Sequence, residues 1–481
     1  MTNSIIIKTE LLPSTEEMMH WITEICDQGI RRPGYQADEW VETWIKEKYV
    51  RFGLKEINLD PISIKKWESK NPKLKLWFTD NPESILDVPC FPLPYSTPTD
   101  GVEAELAFLK KDIKLSNKIG VLKLKLIKLP TAALKSIADR YYDPKNEFDN
   151  LKQLMPFGII MQDAINYAIG AKASAFIGIL SNYPWETQDY YVPYDAIIRE
   201  IPGAWVSPNN GKKVLRLMRK GKVTGRISYQ ATVSEATSNN ITATLKGQSD
   251  DWIIISTHHD GPWASAVEDA SGIALVLAQA KYWSKIPQDQ RPFNMMFVLT
   301  AAHMSGGMGV QKFVERNKEF LSNVVATITL EHVAKDSKGK KGKLALFDEP
   351  VVRWWFTSRI TPLEEITEEA IKKEDLYRSI IMPPDGFPPG RESPPSDASP
   401  FHLAETPIIS LLTAPPYLFD PADTPDKVHK DSLVPITRAV IRIINALKGH
   451  TAEGFRKEVR KKFKRSKLLQ QFTEKLREDQ F

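Results

Sequence analysis

Cysteine is nearly missing from this chain: Cys26 and Cys90 are the only two among 481 residues. That excludes a disulfide framework and any cysteine-bound metal knuckle, and it fits a reducing compartment. Long apolar runs are missing too. None approaches the ~20 residues that cross a bilayer, so no integral membrane segment is expected. Met1-Thr2-Asn3-Ser4-Ile5 lacks a basic stretch followed by an apolar core, so no secretory leader is read and the expected location is cytoplasmic. An excess of charge is confined to one end. The net charge is +5, and residues 451–481, with ten Lys/Arg against five Asp/Glu, carry all of it. A nucleic-acid binder presents a broader basic face, so nucleic acid is not an expected partner. No internal repeat is seen.

What is present is a soluble globular composition, 42% hydrophobic and 26% charged. The length suggests two or three domains. Residues 251–332 organise the rest. Three apolar, strand-like runs each stop at a polar cluster. The run 252–257 ends in His258-His259-Asp260-Gly261, 293–300 in Ala301-Ala302-His303-Met304, and 324–330 in Glu331-His332. Between the first two, Glu268-Asp269-Ala270-Ser271-Gly272 opens an apolar helix-like segment. Four of the eight histidines lie in this window. Carboxyl ends of strands in an open α/β sheet meet at one crevice, where ligands bind. Imidazoles and carboxylates delivered there read as a metal or acid–base site.

In chain order, apolar spacing predicts two helices over 15–55, broken at Arg31-Arg32-Pro33-Gly34-Tyr35. An extended region follows to Phe78, then a linker over 79–101 rich in Pro, Ser and Thr. Residues 95–232 read as a β-rich inserted domain, with strands near 119–126, 176–180, 201–207 and 222–229 around a basic helix at 211–219. The main domain comprises 1–94 and 233–450. Within it, 337–343 reads as a lysine-rich loop, 351–359 and 363–371 as helices, 383–400 as a Pro/Gly-rich loop, 406–412 as a buried strand and 435–447 as a helix. Residues 451–481 carry apolar positions at helical spacing with Lys/Arg between them, a basic amphipathic helix. Docking on its own domain or on a sister subunit is the simple reading. A membrane surface is the other.

The order of motifs resembles the M28 family of metallo-aminopeptidases, in the branch with an inserted protease-associated (PA) domain. The similarity runs over residues 15–450. It rests on the Arg-Pro-Gly helical region, the segments 175–178 and 201–207, His-x-Asp at 258–260, and Ala-Ser-Gly at 270–272. Ser396-Asp397 with Pro400-Phe401 and the closing Asp423-Thr424-Pro425-Asp426-Lys427-Val428 complete it. The resemblance implies an α/β fold with a central, mostly parallel mixed sheet flanked by helices. It implies a first metal ligand at His258 with Asp260 beside it, a bridging carboxylate at Glu268 and a further carboxylate ligand at Glu331. The family's Glu-Glu pair, base then second-metal ligand, falls on His303 and Met304. Its last histidine ligand falls near Phe419. A thioether and a phenyl ring ligate hard or borderline cations poorly, so the dinuclear site is not carried over.

The remaining set supports one divalent ion per chain. Zinc leads, and iron, manganese or cobalt also suit the donors. His303 is either the general base or a fourth ligand. His259 and His332 lie one residue past motif positions, and on a continuing strand would face the other way. Arg391 on the Pro/Gly-rich loop is a candidate clamp for a substrate carboxylate. The expected activity is hydrolysis of an amide or related C–N bond. A small molecule is expected as substrate ahead of a short peptide. Against this stand an inactive peptidase-like binding scaffold and a non-hydrolytic iron-dependent enzyme. Self-association would use the PA-like region or the C-terminal helix.

Overall fold

The computed structural model describes residues 7–110, 113–156, 158–340, 342–385, 387 and 391–458. Its two leading helices form where apolar periodicity places them. Thr15–Cys26 starts at Ser14, whose hydroxyl accepts from the Glu17 N–H at 3.2 Å. Gln36–Phe52 ends at Gly53, whose left-handed φ of 80° suits a residue without a Cβ.

One 15-stranded sheet runs through the molecule. At its centre the strands Asn294–Thr300, Trp252–His258, Val324–Leu330 and Ile408–Leu412 are parallel neighbours in that order. Arg353–Thr357 then pairs antiparallel with Ile408–Leu412, which makes the sheet mixed. The expected fold class is the observed one. The three strands that end in polar clusters are buried along nearly their whole length, as parallel strands covered on both faces must be. Helix Ser271–Lys285 packs against them and is buried from Ser271 to Ala280. Gly272 makes that fit. A Cβ there would lie 2.5 Å from the Leu330 carbonyl oxygen and closer still to the Asp269 carboxylate.

Two long strands tie the sheet together. Lys55–Phe78 and Val223–Leu245 pair antiparallel along their length. The first part of Val223–Leu245 also pairs with Thr99–Phe108, and its last part with Asn294–Thr300. From Thr99–Phe108 the sheet continues through Lys118–Leu124, Ala175–Leu180, Gly203–Val206 and Cys90–Pro92. The boundary expected at 232/233 falls inside a continuous strand.

Local readings differ at three places. The stretch 79–101 is not all linker: Asn81–Val88 forms a hairpin with Lys55–Phe78. The expected helix at 351–359 is the strand Arg353–Thr357, where Trp354, Trp355 and Phe356 are buried, aromatics being good strand formers. The lysine-rich loop is a hairpin, Lys335–Lys340 with Lys343–Pro350. Of the expected tail helix, Ala452–Glu458 is seen, with Phe455 buried. Arg456 there donates to the Ser322 carbonyl at 2.8 Å, so this turn docks on its own chain. The rest of the tail lies outside the described residues. No helix among the described residues is long and apolar enough to cross a membrane.

Candidate metal centre

The ends of the central strands and the loop 259–270 bring the expected residues together. Arg31 holds that loop from below. Its guanidinium donates to the carbonyls of His259 (2.7 Å), Ala264 (2.5 Å), Ser265 (2.9 Å) and Glu268 (3.4 Å). Asp423, from the closing motif, accepts from the N–H groups of Val267 and Glu268, both at 2.9 Å. Asp269 accepts from the N–H groups of Gly272 (3.2 Å) and His332 (3.1 Å) and from the Thr257 hydroxyl. The Glu268 carboxylate is thereby aimed inward, almost fully buried.

Three imidazoles surround it. His258 Nε2 lies 3.4 Å and His303 Nε2 3.8 Å from Glu268 Oε1. His332 Nε2 lies 2.6 Å from Glu268 Oε2. In each ring Nδ1 is already committed. His258 Nδ1 meets the Asp260 carbonyl at 3.0 Å, His332 Nδ1 the Thr413 carbonyl at 2.7 Å, and His303 Nδ1 the Asp397 carboxylate at 2.6 Å. A carbonyl or carboxylate oxygen only accepts, so each Nδ1 carries the proton. When neutral, each ring turns a bare Nε2 lone pair toward Glu268. The buried Nε2 atoms of His258 and His332 and both oxygens of Glu268 have no aligned hydrogen-bond partner.

Buried polar atoms left this way are costly unless a proton or a cation joins them. Protons supply part of this. Burial opposes charge on all three rings, yet the carboxylates pull all three upward: His332 to about 10, His303 well above the usual range, and His258 upward. His258 and His303 are stacked with centroids 4.0 Å apart and planes 12° apart, so two imidazolium charges there repel. Ligand atoms of His258, Glu268 and His303 all lie within 4.8 Å of one another. The donor set, imidazole nitrogen with carboxylate oxygen, fits a divalent ion such as zinc.

Other expected residues take different places. The Asp260 carboxylate caps the next strand end, accepting from the N–H groups of His303 (2.9 Å) and Met304 (2.7 Å). It is its carbonyl that touches His258. Glu331 is buried but stands outside the 4.8 Å group. Its Oε1 accepts from the Asp397 N–H at 3.0 Å, and burial, then the Asp397 charge, push its carboxyl upward. Met304 is fully buried. Phe419 is buried under Tyr194, their rings 5.1 Å apart and 24° from parallel. Tyr194 in turn stacks on His303 at 5.7 Å. Apolar side chains thus fill the positions where the resemblance loses its second-metal ligands. His303 is the most open of these site histidines, its side chain 14% exposed. Arg391 is exposed, and its charge acts on Tyr194.

Sequence reasoning left Asp397 as a motif without a role. It accepts from the Thr300 hydroxyl at 2.7 Å as well as holding His303. A second convergence, Asp38, Glu42 and His259, lies behind the site and was not anticipated. Helical spacing of four residues was its only sequence signal. His259 Nε2 meets the Asn239 carbonyl at 2.9 Å, and Nδ1 lies 3.0 Å from Asp38 Oδ1. Ser238, Asn239 and Gly34 already occupy Asp38 Oδ2 and both Glu42 oxygens. A single proton satisfies what is left. Burial works against that proton, but Asp38 and Glu42 raise His259 to about 9.

Residues 240–444 match the model of peptidase family M28. Among curated proteins no sequence matches. Several solved structures share the fold over nearly the whole chain. An aminopeptidase from Aneurinibacillus sp. strain AM-1 is 18% identical with TM-score 0.62, covering 94% of this chain and 98% of that one. BSAP, a zinc aminopeptidase from Bacillus subtilis, is 15% identical with TM-score 0.65, covering 93% and 100%. A peptidase M28 precursor from Shewanella amazonensis is 18% identical with TM-score 0.64, covering 90% and 95%. Over residues 240–444, the stretch that carries the histidine–carboxylate cluster, the chain is similar to peptidase family M28.

Proposed function

We propose that this chain is a metal-dependent hydrolase that cleaves an amide or related C–N bond, with one divalent ion, zinc first, at Glu268 and His258. The observation that carries the reading is the set of three imidazole Nε2 atoms turned on one buried carboxylate. A bound divalent ion would polarise the scissile carbonyl and acidify a water. His303 is the proton acceptor. Asp397 fixes its tautomer through Nδ1, so Nε2 is the basic atom, and that atom is the one facing the cluster. The same nitrogen then returns the proton to the leaving amine. A cation at Glu268 offsets the negative charge that otherwise keeps His303 protonated, which brings the base into its working range.

A small-molecule amide is the preferred substrate. Phe419 and Tyr194 offer an apolar wall beside His303, and Met304 and Phe419 supply no ligands for a second ion. Arg391, exposed on its loop, is the candidate to hold a substrate carboxylate.

Elemental analysis of protein purified without a metal-binding tag, together with hydrolysis of paired free-amine and N-acylated amide substrates, tests this. One ion per chain, lost in His258→Ala, with turnover of N-acylated amides, is the expected result. Two ions per chain would overturn the mononuclear reading. No ion after reconstitution with zinc, iron, manganese and cobalt would leave a binding scaffold.

A further inference from the structure

We infer that His332 is a metal ligand, joining Glu268 at the single-ion site. The inference rests on the metal-dependent reading of the site. Three independent features of residue 332 support it.

The first is its contact. His332 Nε2 and Glu268 Oε2 are 2.6 Å apart, yet both lack an aligned hydrogen-bond partner. The pair is close without lining up as donor and acceptor, which leaves each atom a lone pair to offer a cation. A simple donor–acceptor pair would line up.

The second is its mounting. The Thr413 carbonyl accepts from Nδ1 at 2.7 Å, and the Thr413 hydroxyl donates to the His332 carbonyl at 3.0 Å. The His332 N–H is held by Asp269 at 3.1 Å. Backbone and ring are therefore fixed together, and the outer nitrogen is tied to an oxygen in the way that orients ligating histidines elsewhere.

The third is its backbone. The strand ends at Leu330, and His332 has φ of 60°. Left-handed backbone in a residue with a Cβ is uncommon and costs energy. Here it turns the ring back into the cluster that Glu331 also faces. On a continuing strand the ring would point to the other side of the sheet. The result is a ligand on the Oε2 side of Glu268, while Oε1 faces His258 and His303.

The test uses full-length protein stripped of metal and titrated with cobalt(II) in competition with a chelator, read by visible absorption. His332→Gln keeps an N–H donor for Glu268 but ligates poorly. The expected result is a loss of affinity of at least about 100-fold, beyond what removal of an outer partner causes, with a changed cobalt spectrum. His332→Cys should bring a sulfur-to-cobalt charge-transfer band. Circular dichroism of the apo variants checks that both fold, and if His332→Gln does not, the cysteine band decides. Wild-type affinity and spectrum in His332→Gln, or no charge-transfer band in a folded, cobalt-loaded His332→Cys, would overturn the assignment and leave the hydrolase reading intact. Failure of the wild-type chain to bind cobalt or zinc would overturn both.

Discussion

His303 and Asp397 meet across 94 residues of sequence at 2.6 Å. Their pairing makes a definite kinetic expectation. Asp397→Asn keeps shape but gives Nδ1 a different partner, so the wrong ring nitrogen carries the proton for part of the time. The turnover number should fall by about 10² to 10⁴, the usual range for general acid–base contributions, while KM changes little. Steady-state kinetics on the best amide substrate check this. His259 behaves differently because Asp38 holds its proton. Its folded-state value of about 9 lies above the ~6.5 of an unfolded histidine. Its contribution is therefore complete below about pH 6.5 and is lost as pH rises through about 9. Melting temperatures from pH 6 to 10 should decline over that span, and His259→Gln should flatten the decline. Neither pairing was legible from sequence. The chain gives the residue types, but Asp38 and His259 are brought together only by tertiary packing. His332 was misplaced in expectation for a related reason: facing was argued from strand alternation, and the strand stops two residues earlier.

At the level of elements, the strand ends were the readable part. Apolar runs stopping at His258, near His303 and at Glu331 reported both the buried parallel strands and the crevice they share, because strands covered on both faces must be apolar throughout. The loop joining the first of these to its helix is held mainly from outside, by Arg31. That residue was seen only as part of a helix break. Arg31→Leu would strip four carbonyls of a donor in a buried setting. Each such loss costs ~1–3 kcal/mol where water cannot replace it. Partial relaxation of the loop sets the expectation at about 3 kcal/mol, measured by urea unfolding, together with weaker metal retention. The error at 351–359 has an equally local cause. Trp354, Trp355 and Phe356 form a buried run, and a short apolar run does not separate a strand from a helix by periodicity alone.

At the level of the whole molecule, the histidine–carboxylate cluster and its supports gather groups from across the sequence: Trp252–His258, the loop after it, the strand ends near 303 and 331, and loop residues 397 and 423. A cation bound there binds the folded chain alone. Stripping the protein of metal should lower its unfolding free energy by about 2.7 kcal/mol relative to protein held at 100 times the dissociation constant. Chemical denaturation with and without chelator measures it. Acidification should have the same effect by protonating the imidazoles that must be neutral to ligate. The paired strands Lys55–Phe78 and Val223–Leu245 set how the sheet can move. They run as a splint, with register shifts at Lys55/Asn58 and Lys70/Lys73, from the region of Thr99–Phe108 to Asn294–Thr300. The two ends of the sheet cannot swing apart like the halves of a jaw without tearing that ladder. Tyr194, stacked on His303 at 5.7 Å, stays fixed beside the site in such a sheet.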